Sequence, residues 1–429
     1  MKVASGSRDW LEPVRALLQR SLVRNAGWLM VGQGLGLVLQ AVYFIVLARV
    51  LGSTEYGVFV GAFAFTSIVA IYSPLGTGGI FIRYVSGRPN EFAPYFGNML
   101  LVTSSVGAFL IVGLTLSASR LINAESARLV FLAAIANCLF GQLSVEIARV
   151  FQTFEKMRVT ALLNLLVSAL RTLAALAMLL AMHRASAYQW AVVSTIVSGI
   201  AAIAAVFLAI RQFGRPSFKF TLARKHGMEG LGFAFASSTT SVYNDIDKAM
   251  LSHYNMNQGN GVYSMAYRLV DIATIPIFAV RDAALPRLFQ KGREGIAKSA
   301  EYGDRLVVKS ILMGAAGSLL LFVCAPAIPM VIGRGFAESV SALRWLAIIP
   351  LFRSIHQISG IVLTSAGRQG VRTAAQFTAA AFNFGLNLWL IPRHGWLGAA
   401  WASIAADGAL AIMNWTILRV ILHRSEVPA

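Results

Sequence analysis

LARVLGSTEYGVFVGAFAF at residues 47–65 and LSHYNMNQGNGVYSMAYRL at residues 251–269 align without a gap at a displacement of 204 positions. Leu47 falls on Leu251, Gly57 on Gly261, Val58 on Val262, Phe59 on Tyr263, Ala62 on Ala266 and Phe63 on Tyr267. In each copy a short polar turn separates two apolar stretches. Near the end of each half a second match pairs Ala191, Ser194 and Gly199 with Ala400, Ser403 and Gly408. The chain therefore reads as a duplicated unit. Because each unit holds an even number of crossings, the copies run parallel, a plan in which transporters place the substrate path between the halves.

Working outward from the two turns, apolar stretches long enough to cross a bilayer as helices recur along the whole chain. Six fall near residues 25–47, 56–81, 93–118, 127–148, 158–182 and 186–210, and six near 229–251, 260–283, 306–328, 340–364, 371–391 and 395–420. Composition agrees: 57% of the 429 residues are hydrophobic and 13% are charged, too little polar surface for a water-soluble globule of this size. The expected fold class is an all-α polytopic membrane protein of about 12 transmembrane helices in two six-helix bundles related by the internal repeat. Four units are expected: a cytoplasmic amphipathic N-terminal segment (1–24), an N-terminal bundle (25–214), a basic cytoplasmic connector (215–228) and a C-terminal bundle (229–429).

The net charge of +19 is a topology signal rather than a nucleic-acid footprint. With the N-terminus inside, 26 of the 37 Lys and Arg residues fall in cytoplasmic segments and seven in outside loops. Arg171, Lys248, Arg268 and Arg353 remain inside helices. Both termini are thus expected in the cytoplasm. The polar, basic stretch up to Arg24 does not look like a cleavable signal, so the first span is expected to stay. Within it, Trp10, Val14, Leu17, Leu18 and Leu22 recur at helical spacing opposite Arg8, Arg15 and Arg20, as in a helix lying on the inner leaflet.

The LARVLGSTEYGVF stretch, its echo GNGVYSMAYRL and NLWLIPRHGWLGAAWAS at Asn387–Ser403 resemble the polysaccharide and O-antigen flippases of the multidrug/oligosaccharidyl-lipid/polysaccharide (MOP) exporter superfamily. The resemblance covers most of the chain. It implies two bundles around a central lumen that opens alternately to either side of a bacterial inner membrane. It also implies a substrate, a polyprenyl-pyrophosphate-linked oligosaccharide destined for surface polysaccharide, with polysaccharide polymerase and chain-length machinery as further partners. The related lipid II flippases usually carry two more helices, for which the chain leaves no room.

No GxxxxGK[ST] phosphate loop and no HExxH motif occur, and no cofactor is implied. Gradient-driven transport is expected. Cys138 and Cys324 sit in apolar stretches without metal-ligand spacing, and no metal site is expected. Gly32 and Gly36 form GxxxG inside an apolar helix, which reads as close helix packing rather than a dinucleotide fingerprint. The outside loops are short, against an embedded glycan ligase or polymerase. A drug or cation antiporter on the same fold is the alternative transporter, and it would concentrate carboxylates in the lumen.

Charges inside the spans carry the site, since each costs about 2.5–3.5 kcal/mol at the bilayer centre unless it meets a partner or a wet cavity. Arg171 and Arg353 have no carboxylate at helical neighbour spacing, and Arg268 has Asp271 at i+3. These three arginines are the expected pyrophosphate ligands, because the guanidinium fork binds phosphate bidentately and tolerates poor hydration. Asp407, alone among small residues, is the first candidate for ion coupling and Asp271 the second. Lys248, with Asp245 at i−3, and His356, at i+3 from Arg353, are further lumen candidates.

Overall fold

The computed structural model describes residues 11–182 and 184–426. Arg8 and Trp10 of the expected amphipathic segment lie outside the described residues, as do the side chains of Val14, Arg15, Leu17, Leu18, Arg20 and Leu22. The described residues are helical almost throughout, with no strand.

Helical passes follow in the expected order. Helix α1 (Leu11–Ala70) contains two passes joined at Gly52, whose φ of 71° makes the reversal. The second pass is interrupted at residues 71–76 and completed by α2 (Thr77–Val85). Next come α3 (Phe92–Leu121), then α4 (Ala124–Ala134) and α5 (Gln142–Thr153) joined by a π-helical segment at Ile135–Gly141. Helices α6 (Met157–Ala181) and α7 (Ala187–Phe213) complete the first half, the latter opened by a reciprocal cap between Ser186 and Gln189.

The second half begins with α8 (Phe220–His253) and α9 (Asn257–Arg293). It continues through α10 (Ile296–Cys324), the short α11 (Ile328–Val331), α12 (Ser339–Leu346) and α13 (Ile349–Ser365). Helices α14 (Gln369–His394) and α15 (Trp396–Glu426) close the chain. The non-helical link between halves covers only 214–219, so α8 takes up most of the basic stretch expected as a connector. Among the described residues, eight stretches have both the length and the apolarity of a membrane span. Helices α8, α9 and α14 have the length but carry polar residues, among them Asp245, Asp271 and Gln376, that face the interior cavities.

The two copies of the repeat meet face to face. A methyl on Gly57 would lie 1.8 Å from the Asn257 carbonyl oxygen, and one on Gly261 would lie 1.9 Å from that of Ser53. Ser53 and Asn257 are themselves repeat mates, so the contact is symmetric residue for residue. Only glycine permits this backbone approach. Around it, Asn123 caps α4 with its carbonyl and donates its amide across the halves to the Ser252 carbonyl (2.7 Å) and Asn257 (2.7 Å). Arg49 Nε donates to the Val331 carbonyl at 2.6 Å.

Core packing follows the same division. At this turn end one continuous apolar core includes Leu47, Tyr56, Val130 and Trp190 from the first half and Leu251, Tyr263, Phe336 and Ile391 from the second. At the opposite, terminal end each half has its own core: Phe81, Phe96, Ile147 and Phe151 in one, Leu288, Val362, Leu363 and Leu418 in the other. The halves are fused at the turn end and separately packed at the terminal end. Among the described residues the start of α8 crosses there, where Glu229 accepts from Arg83 at 2.5 Å.

Candidate functional site

Two adjoining cavities, of about 360 and 400 Å³, lie between the halves. Leu37, Gln40 and Phe44 of α1 and Arg268 of α9 border both. All seven residues singled out from the sequence line one or both. Arg353, Asp271, Asp407 and His356 line the first, Arg171 and Lys248 the second, and Arg268 both.

Their partnerships differ from those expected from helical spacing. Arg353 is not free: its guanidinium meets Asp271 at 2.9 Å and donates to the Tyr267 hydroxyl at 2.8 Å. It also stands 3.8 Å from Asp407. The distance from Arg268 to Asp271 is longer, 3.9 Å, so the i+3 neighbour is the looser of Asp271's two cations. Asp407 is not alone either, since His356 Nε2 lies 3.0 Å from its Oδ1. Its Oδ2 is buried without a hydrogen-bond partner among the described residues, as is the Tyr243 hydroxyl. The first cavity thus carries a closed charge network, Arg353 bracketed by two carboxylates.

The second cavity is different. Arg171 has no carboxylate partner among the described residues: one guanidinium nitrogen donates to Ser198 at 3.2 Å and its Nε is buried unpartnered. Arg268 Nε is also buried unpartnered, and its guanidinium stacks 4.7 Å from the Phe44 ring. Lys248 is held by Asp245 at 3.1 Å and by the Asn244 carbonyl, the pairing expected of it, yet it still borders the cavity. Asp245 in turn accepts from Ser67 at 2.5 Å. The balance is three cations against one carboxylate, and each buried guanidinium N–H left without a partner carries a desolvation cost.

Residues that spacing did not mark complete the walls. Gln33, Gln40, Gln357 and Gln376 supply neutral donors and acceptors, and Ser168 and Ser194 add hydroxyls near Arg171. Isolated glutamines in apolar runs give no periodic signal, although polar side chains at these depths were the available hint. Asp247, a neighbour of two noted residues, turns away from the cavities. It is fully buried and bonded to Tyr263 and to the Lys248 backbone. Of the GxxxG pair, Gly32 packs against Ala161 of α6, where a methyl would sit 2.8 Å from its Cβ, and Gly36 borders the second cavity.

Comparison with known proteins adds the following. Residues 22–291 match the family model described as polysaccharide biosynthesis protein. The fold is similar to that of a multidrug resistance MATE-family transporter of the MOP superfamily in its inward-facing conformation. That TM-score is 0.74 at 14% identity, covering 91% of this chain and 96% of the other. An outward-facing MATE structure gives 0.62 at 12% identity, covering 93% and 96%. The inward closed conformation of the lipid II flippase MurJ gives 0.72 at 14% identity, covering 91% and 87%. A curated relative, an uncharacterized membrane protein of Methanocaldococcus jannaschii, is 22% identical over 166 residues. The match covers 37% of this chain and 33% of that relative's length.

Proposed function

The chain belongs to the polysaccharide biosynthesis protein family, and from that membership we propose that it is a flippase. Its substrate is an oligosaccharide linked through pyrophosphate to a polyprenol, moved across a bacterial inner membrane by alternating access. The observation that carries this reading is the cationic second cavity, where Arg171 and Arg268 each keep a buried guanidinium nitrogen without a partner. A pyrophosphate supplies the acceptors both lack, and charge-assisted bonds of this kind are worth about 1.5–3 kcal/mol each. Glutamine, serine and aromatic side chains on the same walls suit sugar hydroxyls and faces.

Arg353 takes a different role from the other two arginines. Held by Asp271 and close to Asp407, it belongs to a charge network whose Asp407 Oδ2 is free to take a proton or Na⁺. Asp271 joins the two sites, since it faces Arg353 on one side and Arg268 on the other. An anion arriving at Arg268 competes with Asp271 for that cation, and ion binding in the network is felt in the substrate cavity. The fused turn end faces the outside, both termini face the cytoplasm, and the separately packed terminal end is where substrate enters. No step of covalent chemistry is needed, so the protein acts as a transporter rather than an enzyme.

Deleting the gene and analysing the lipid fraction tests the reading. Accumulation of a polyprenyl-pyrophosphate-linked oligosaccharide is the expected result. Sensitivity to cationic dyes without such accumulation favours the antiporter instead.

A further inference from the structure

A third cavity, of about 700 Å³, lies at the terminal end of the second half and shares no residue with the two central ones. It is framed by the end of α9, the start of α10, the turn between α13 and α14, and the last turns of α15. Arg368 and Arg424 border it, both exposed, and neither guanidinium has an ion-pair or hydrogen-bond partner among the described residues. The rest of the wall is mainly apolar, with Val371, Ile417, Val420 and Ile421 contributing and Val371 and Val420 notably exposed. Two neighbouring basic side chains at this end are paired, Arg419 with Asp304 at 2.7 Å and Lys298 with Glu294 at 2.9 Å.

We propose that this cavity is a binding site for an anionic phospholipid of the surrounding membrane, distinct from the transport path. Unpaired guanidiniums beside a greasy channel match a phosphate headgroup attached to acyl chains, not a soluble anion or a neutral lipid. The arginines sit where the charge distribution places the cytoplasmic leaflet, at the level of the headgroups. The cavity joins the ends of α9, α13, α14 and α15, so an occupant bridges helices that bear Asp271, Arg353 and Asp407 deeper in the bilayer.

The test is native mass spectrometry of the delipidated full-length protein titrated with phosphatidylglycerol or with phosphatidylcholine. The wild type is expected to prefer phosphatidylglycerol. The Arg368→Gln/Arg424→Gln double variant should lose that preference by about thirtyfold, the weight of two cation–headgroup contacts. Arg368→Lys/Arg424→Lys, which keeps the charge, should retain most of it. An Arg171→Gln/Arg268→Gln variant, altered only in the central cavity, should bind phosphatidylglycerol like the wild type. An unchanged preference in the Arg368→Gln/Arg424→Gln variant overturns the proposal. So does loss of preference only in the Arg171→Gln/Arg268→Gln variant, which assigns the bound lipid to the transport path. Since this readout is lipid binding without transport, it stands apart from the flippase test.

Discussion

Arg353 on α13 and Asp271 on α9 form a 2.9 Å ion pair across the first cavity, although Arg268 is the cation nearer to Asp271 in sequence. This choice of partner divides the three cavity arginines into two kinds. Arg353 is neutralised by carboxylates and built into the protein. Arg171 and Arg268 each keep a buried Nε–H without a partner among the described residues.

Arg171→Gln should therefore fold like the wild type, because it removes a half-buried charge with no carboxylate partner among the described residues. Transport should fall roughly ten- to a hundredfold, the loss of one charge-assisted phosphate contact. Arg171→Lys should recover only part, lacking the bidentate fork. Thermal stability and a lipid-linked oligosaccharide flipping assay, run on the same preparations, separate the two effects.

Arg353→Gln should behave differently. It leaves Asp407, which is fully buried, with His356 as its remaining ion-pair partner among the described residues, and breaking a buried charge network costs about 3 kcal/mol. A lowered melting temperature is expected, largely restored in Arg353→Gln/Asp407→Asn. If Arg353→Gln melts like the wild type, the network is not the structural unit described above.

Gly57→Ala and Gly261→Ala should each prevent closure at the turn end, since the added methyl would lie within 2 Å of an opposing carbonyl oxygen. Cysteines placed at Ser126 and Ser252, whose hydroxyls lie 2.9 Å apart across the halves, report the gap. Cross-linking should be efficient with both glycines present and should drop sharply with either alanine, together with transport. Efficient cross-linking in the alanine variants would show that the halves meet elsewhere.

The duplicated turn was legible in the sequence because backbone contact demands glycine at matched positions, and Gly57 and Gly261 stand 204 residues apart in both readings. The seven site residues were legible because charge is costly in apolar helices. Their pairing was not. Helical spacing reports only neighbours on one helix, so it offered Arg268 for Asp271 and nothing for Asp407, whereas α13 supplies Arg353 to the first and His356 to the second. The interruption at residues 71–76 was marked in the sequence by Pro74 and Gly76, although the stretch 56–81 reads as one span; positive φ at Leu75 and Gly76 breaks the helix there.

Asp407→Asn should uncouple transport from an imposed ion gradient while leaving substrate binding in the second cavity intact, because Asp407 does not border that cavity. Flipping rates in liposomes with and without a proton or Na⁺ gradient check this. Gradient-stimulated flipping at the wild-type rate by the variant would remove Asp407 from the coupling role.

Topology is open to a direct check. A reporter fused after Arg215, in the non-helical link, should read cytoplasmic, and one near Gly259, at the fused turn end, should read external. Two cytoplasmic readings would contradict the orientation.

In the function proposed above, the second cavity carries a lipid-linked pyrophosphate between leaflets. The most direct test is reconstitution of the purified protein into liposomes with a polyprenyl-pyrophosphate-linked oligosaccharide, measuring how fast the sugar becomes accessible on the opposite face. The wild type should transfer it, and Arg171→Gln/Arg268→Gln should do so at least tenfold more slowly at equal reconstitution. Equal rates in the two proteins would rule out that role for the cavity.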